Sequence, residues 1–286
     1  MGTKCGYCFV DSTFSKDFGC CFSGGSLSIT GAHYQGVFQN PLVSDNILGV
    51  SAGAGFGAAM AIAMGLPGYF IGIFAFAGAS AAVFITYSAS HIFTGNPTLL
   101  LVLTGTVVSS LFSAFLSIIQ FLVPPETKLP AIVFWLMGSF ARLNMASLAI
   151  MAPIVIAGSI LLFRLRWKLN ILSLGDNMAH SLGINAGRTR LIIIALSTLI
   201  SAVTVSYCGI VGWVGVVIPQ VTRMAIGPDN RRLIPTSFFA GSLFMMFVDL
   251  ICRTLTAAEL PVGIITAIIG APLYLMLLNR VRKGWL

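Results

Sequence analysis

Two patterns in this 286-residue sequence have the spacing of chemistry. Cys5 and Cys8 form a CxxC pair, as in a redox dithiol or half of a tetrahedral metal site. A metal would need a second pair or nearby histidines, and Cys20, Cys21, Cys208 and Cys252 do not supply them, so no metal site is expected. Cys208 and Cys252 sit in apolar runs, where a thiol acts as a small hydrophobe. Asp249 and Arg253 stand four residues apart, on one face of a hydrophobic helix. Alone, either would cost about 2.5–3.5 kcal/mol at a bilayer centre, but as a pair they offset one another. They read as a structural ion pair or as part of a transport path. No GxxxxGK[ST], HExxH or GxSxG spacing is present, so the chain is expected neither to hydrolyse ATP nor to be an enzyme.

The elements around these residues are hydrophobic throughout. The chain is 57% apolar and 8% charged, with mean hydropathy +0.96. Soluble domains carry about 25% charged residues, so lipid must solvate most of this surface. The apolar runs are long and unbroken, which predicts helices rather than the short alternating segments of a barrel. Spans are expected at about 46–65, 67–88, 98–123, 143–163, 189–210, 234–255 and 260–279, with short apolar pieces near 131–139 and 211–226. Residues 25–38 make only half a span, and residues 1–24 are too polar to cross.

Gly49, Gly53 and Gly57 recur every four residues and make a thin helical stripe. It serves either close packing of a neighbouring helix or the lining of a pathway or dimer axis. The polar segment Leu172–Arg190 predicts a short helix from Asp176 to Leu182, stopped by Gly183. Met178, Ala179 and Leu182 give it a small apolar face, suited either to folding onto its own domain or to docking another subunit.

A net charge of +8 need not mean nucleic acid, and none is expected. Placing residues 164–190 in the cytoplasm puts Arg164, Arg166, Lys168, Arg188, Arg190, Arg223, Arg231, Arg232, Arg280, Arg282 and Lys283 inside. With Lys4 and Lys16 of the atypical N-terminus set aside, only Lys128, Arg142 and Arg253 fall outside. By the positive-inside rule the C-terminus is therefore cytoplasmic.

Five blocks, in order, resemble the FecCD-type permeases: QGVFQNPLVSDNILGVSAGAGFGA, LGDNMAHSLGINAGRTR, GIVGWVGVVIPQVTRMAIGPDNRRLIP, VDLICRT and ELPVGIITAIIGAPLYLMLL. These are membrane subunits of ATP-binding-cassette importers for siderophores, haem, cobalamin or molybdate-type oxyanions. The resemblance runs from about residue 25 to the C-terminus. It implies an all-α polytopic bundle of the vitamin B12/siderophore importer type in the bacterial inner membrane. It implies a homodimer, two ATPase subunits that hold ATP and Mg, and an extracytoplasmic substrate-binding protein, with no cofactor on this chain. By the same resemblance Leu174, Gly175, Asp176, Met178, Ala179, Leu182 and Gly183 lie in the ATPase-coupling segment, about 164–190. Asn40, Leu42 and Thr98 fall at the inner gate, although the match around Asn96–Thr98 is poor. Arg142, Arg253 and Glu259 are the charges available to dock the binding protein.

Two features depart from the family. Pro219-Gln220 replaces the usual Pro-His. Met1–Ser23 resembles neither the family's first helix nor the basic stretch that follows it, and Gly24–Gln39 rejoins the pattern in mid-helix. A shifted reading frame or misplaced start would produce this, so the first helix is expected to be missing. Residues 24–38, burdened by His33 and Gln35, are expected to span poorly. A damaged permease, or a stand-alone secondary transporter using Asp249, are the rival readings.

Overall fold

The computed structural model describes the backbone of residues 3–95, 97–255 and 259–284, and the side chains of 14–95, 97–175, 177–255 and 259–277. Among these residues every regular element is helical: α1 (Thr3–Phe38), a 3-10 turn (Asp45–Leu48), α2 (Val50–Ala63), α3 (Gly68–Ser90), α4 (Pro97–Leu122), α5 (Lys128–Leu136), α6 (Met145–Leu172), α7 (Asp176–Ser181), α8 (Ala186–Cys208), α9 (Val214–Ile226), α10 (Asn230–Leu255) and α11 (Val262–Gly284). Helices α3, α4, α6, α8 and α10 are each long and apolar enough to cross a membrane. Helices α2, α9 and the described part of α11 are shorter apolar pieces.

The expectation of a half-length first span is corrected. Residues 25–38 are the C-terminal part of a continuous 36-residue helix. At 1.5 Å per residue it extends about 54 Å, well beyond a hydrocarbon core of about 30 Å. Its polarity is accommodated because α1 packs among α6, α8, α9 and α10 rather than against lipid. Ser23, Ser26, Ser28, Thr30, His33 and Gln35 are all buried. Several bond across the bundle: Ser26 with Thr204 at 3.0 Å, Tyr34 with Thr198 at 3.0 Å, and Ser201 to Thr30 at 3.1 Å. A polar side chain that would be costly in lipid thus finds partners on the neighbouring helices.

The glycine stripe packs within the chain. A Cβ on Gly53 would fall 2.3 Å from the Gly78 carbonyl oxygen, and one on Gly57 would fall 2.0 Å from that of Phe74. Helices α2 and α3 therefore meet backbone to backbone. Gly49 precedes α2 with φ 86°, ending the 3-10 turn.

Candidate functional site

The segment after α1 is held by its own backbone and by two glutamines. The chain leaves α1 through Gln39, a non-glycine residue at φ 49°, and the Asn40 N–H returns to the Gln35 carbonyl at 3.2 Å. This is the left-handed helix stop usually given to glycine. Asn40 Oδ1 accepts the Leu42 N–H at 2.9 Å, which turns the chain and leaves the Leu42 side chain exposed. Gln39 Nε2 donates to the Leu172 carbonyl at 2.8 Å, at the last residue of α6. On the other side Gln220 Nε2 donates to the Pro41 carbonyl and to Gln35 Oε1, each at 3.1 Å. The Gln35 amide in turn donates to the Gly215 and Val216 carbonyls. Gln220, where the resemblance implies a histidine, thus ties α9 to α1 and to the Asn40 loop.

Asn40 and Thr98, 58 positions apart in sequence, line one cleft of about 570 Å³ with Gly175 and the buried Arg190. Leu42 does not line it. Asn96 lies outside the described residues. A second cleft of about 400 Å³, lined by His91, Pro97, Arg188 and Arg190, adjoins on the α8 side.

At the centre of the expected coupling segment is the short helix α7, bracketed by left-handed glycines, Gly175 at φ 97° and Gly183 at φ 75°. Leu174, Met178 and Leu182 are exposed at 64%, 52% and 57%: Met178 lies on the helix, Leu174 just before its N-terminal glycine and Leu182 at its C-terminal end. Ala179 is fully buried, and its carbonyl accepts the Ile184 N–H at 2.9 Å. The expected face of Met178, Ala179 and Leu182 is corrected accordingly: Ala179 points into the domain, and Leu174 takes its place on the surface. The backbone of Asp176 opens α7, and its side chain lies outside the described residues.

The same end of the bundle carries further ties. Asn170 Nδ2 donates to Asp229 Oδ1 at 2.6 Å, and Arg166 to the Arg231 carbonyl at 3.1 Å, fastening the base of α6 to the α9–α10 turn. The Arg231 N–H and the Asn170 amide hold the Asp229 carboxyl below the usual range. Burial pushes the Asp45 carboxyl up to about 6, against hydrogen bonds from its own N–H and that of Asn46.

At the opposite end, Arg253 pairs with Asp249 and, at 3.0 Å, with Asp17, while Lys16 pairs with Glu259 at 2.8 Å. Arg253 and Glu259 are therefore engaged by the N-terminal helix, and Arg142 is exposed at the turn before α6. Sequence reasoning missed Gln39, Lys16 and Asp17. Only the break in pattern before Gly24 drew attention to that region, and it gave no hint of partners more than 200 residues away.

Comparison with known proteins supplies what geometry alone does not. The model of the FecCD transport family matches residues 14–280, beginning inside the segment that sequence reading set apart. The molybdate import system permease protein MolB of Haemophilus influenzae is 40% identical over 264 residues, covering 91% of this chain and 77% of its own. The cobalamin import system permease protein BtuC of Halobacterium salinarum is 38% identical over 259 residues, 90% of this chain and 69% of its own. An inward-facing metal-chelate type ABC transporter superposes with TM-score 0.89 and 36% identity, over 93% of this chain and 85% of that one. None of these comparisons supports a secondary transporter or a damaged fragment.

Proposed function

Because the chain belongs to the FecCD transport family, as the membrane permease subunit of an ABC importer for metal chelates or related substrates, we propose that two copies form a homodimer around a central pathway. The segment 164–190 seats a separate ATPase subunit on each copy. The cargo is a siderophore, haem, cobalamin or an oxyanion such as molybdate, delivered by an extracytoplasmic binding protein that selects it. ATP and Mg act on the ATPase, and this chain moves substrate without bond chemistry. The charge asymmetry supports a cytoplasmic position for the coupling segment and the C-terminus.

The observation that carries this reading is the exposed apolar group Leu174, Met178 and Leu182, next to the cleft that holds Asn40 and Thr98. A six-residue helix that, with the residues flanking it, offers three large apolar side chains to water suits burial by a partner. Its seat at the cleft would let ATPase closure bias the gate, since a conformational change requires differential contact with the two states. Binding-protein docking falls to Arg142, as Arg253 and Glu259 are paired with the first helix.

The test is co-purification. Met178→Asp with Leu182→Asp should abolish ATPase capture while the permease still inserts, because both side chains are exposed and removing them leaves no cavity. Full capture by the double variant would refute the docking surface.

A further inference from the structure

We infer that Gln39 is the strut that transmits movement of the coupling segment to the gate loop, a positioning residue for transport. The inference rests on the proposed roles of the 164–190 segment and of the Asn40 loop.

Three observations converge on it. First, Gln39 occupies a left-handed backbone position, φ 49°, where glycine would relieve strain and asparagine would be tolerated. A glutamine there needs a compensating contact. Second, its side chain supplies one: Nε2 donates at 2.8 Å to the carbonyl of Leu172, three residues before Gly175. Leu172 ends α6; its carbonyl accepts the Gly175 N–H at 3.2 Å in the turn toward α7 and keeps a second lone pair for an outside donor. Third, the two ends of this contact are the two proposed working parts. Leu172 leads directly into α7, and Gln39 is bonded through the peptide chain to Asn40, which lines the cleft with Thr98 and Gly175.

Two further ties of the loop run to the other helices instead. Gln220 holds the Pro41 carbonyl from α9, and Gln35 holds α9 from α1. Those bonds anchor one side of the loop to the bundle. The Gln39 bond joins its other side to the element that the ATPase would move. Displacing α7 with the end of α6 therefore pulls on Gln39, and the αL hinge, already away from the helical minimum, is where the loop turns.

The experiment uses the full permease–ATPase complex in nanodiscs. Leu42, exposed on the loop, is replaced by Cys as a reporter, and the rate of labelling by a fluorescent maleimide is read without nucleotide and with ATP plus vanadate. With Gln39 intact, nucleotide should change the rate by about fivefold or more. Gln39→Leu, which keeps bulk and removes the donor, and Gln39→Gly, which also removes the strain, should both abolish that change. Both should retain ATP hydrolysis within about twofold, and Gln39→Lys, which keeps a donor, should restore the response. If the Leu variant keeps the full response, the strut is wrong. A responsive Gly variant beside an unresponsive Leu variant overturns it too, since strain alone would then explain the effect. Loss of assembly or hydrolysis in both variants also overturns it, assigning Gln39 to folding. If nucleotide leaves labelling unchanged with Gln39 intact, the gate reading itself fails, and the inference with it.

Discussion

Arg253 Nη2 lies 3.0 Å from Asp17 Oδ1 while the same guanidinium holds Asp249 one turn back on α10. The two acids differ in setting: the side chain of Asp17 is 47% exposed and that of Asp249 is 9% exposed. One cation therefore has a wet partner and a dry one, and the two contacts should contribute unequally.

Removing the wet partner should matter little. Asp17→Asn is expected to lower stability by less than about 1 kcal/mol, the usual value for exposed pairs. Asp249→Ala leaves a half-buried guanidinium with only the screened partner, and should cost on the order of 3 kcal/mol. Thermal unfolding of the purified permease in detergent reads both. Equal shifts would contradict the asymmetry, and added salt should weaken only the Asp17 contribution.

The spans from residue 46 onward were legible because long apolar runs report contact with lipid. The observed helices α3, α4, α8 and α10 begin and end within a few residues of the expected limits. Helix α6 was underestimated, since Arg164, Arg166 and Lys168 look like a loop but continue the helix to Leu172 beyond the apolar stretch. Helix α1 was misjudged for a different reason. Hydropathy measures affinity for lipid, and Ser26, Thr30, His33 and Gln35 are surrounded by protein instead. Ties such as Gln39 to Leu172 join residues 133 apart, and no local pattern announces them. The turn glycines around α7 were readable, while the burial of Ala179 was not, because a single helical turn leaves the phase undetermined.

Gln220 should be worth more than its position suggests. Its amide donates to both Pro41 and Gln35 within a largely buried network. Gln220→Ala strands the Gln35 oxygen and the Pro41 carbonyl, which predicts a loss of about 1–3 kcal/mol. Gln220→His, the residue usual in the family, restores one ring donor and should recover part of it. The measurement is the unfolding midpoint of each variant, and a neutral alanine variant would show that water replaces the amide.

Asp45 gives a pH signature of definite sign. Its carboxyl is raised from the ordinary 3.8 to about 6 by burial. The folded chain therefore binds this proton more tightly than the unfolded chain, and its contribution to stability is lost as pH rises from about 4 through 6. At pH 7 the penalty is on the order of 3 kcal/mol at 1.36 kcal/mol per unit. Asp45→Asn should remove it, so the variant should unfold at a higher temperature than the parent at pH 7.5. The difference should shrink toward zero by about pH 4. A gain that stays constant across that range would rule out titration of Asp45 as its source.

The α2–α3 contact offers the sharpest packing test. A Cβ on Gly53 would lie 2.3 Å from the Gly78 carbonyl oxygen and 2.8 Å from the Ala82 Cβ, and a Cβ on Gly78 would lie 2.2 Å from the Gly53 carbonyl oxygen. The obstructing atoms at these closest approaches are backbone, so no rotamer change relieves them and the helices must separate. Gly53→Ala is therefore expected to destabilise by about 1–3 kcal/mol or somewhat more, despite alanine's better helix propensity. Gly68→Ala is the internal control. It lies in the same helix pair with nothing within 4 Å of its Cβ position, and should be neutral or stabilising by up to about 1 kcal/mol. Gly53→Ala and Gly78→Ala together should cost less than the sum of the two, because the first substitution already opens the gap that the second requires. Unfolding midpoints of the four variants, read against the parent, decide it. If Gly53→Ala melts with the Gly68→Ala control, the close approach of α2 and α3 does not exist, and the stripe would return to its other reading as the lining of a pathway or dimer axis.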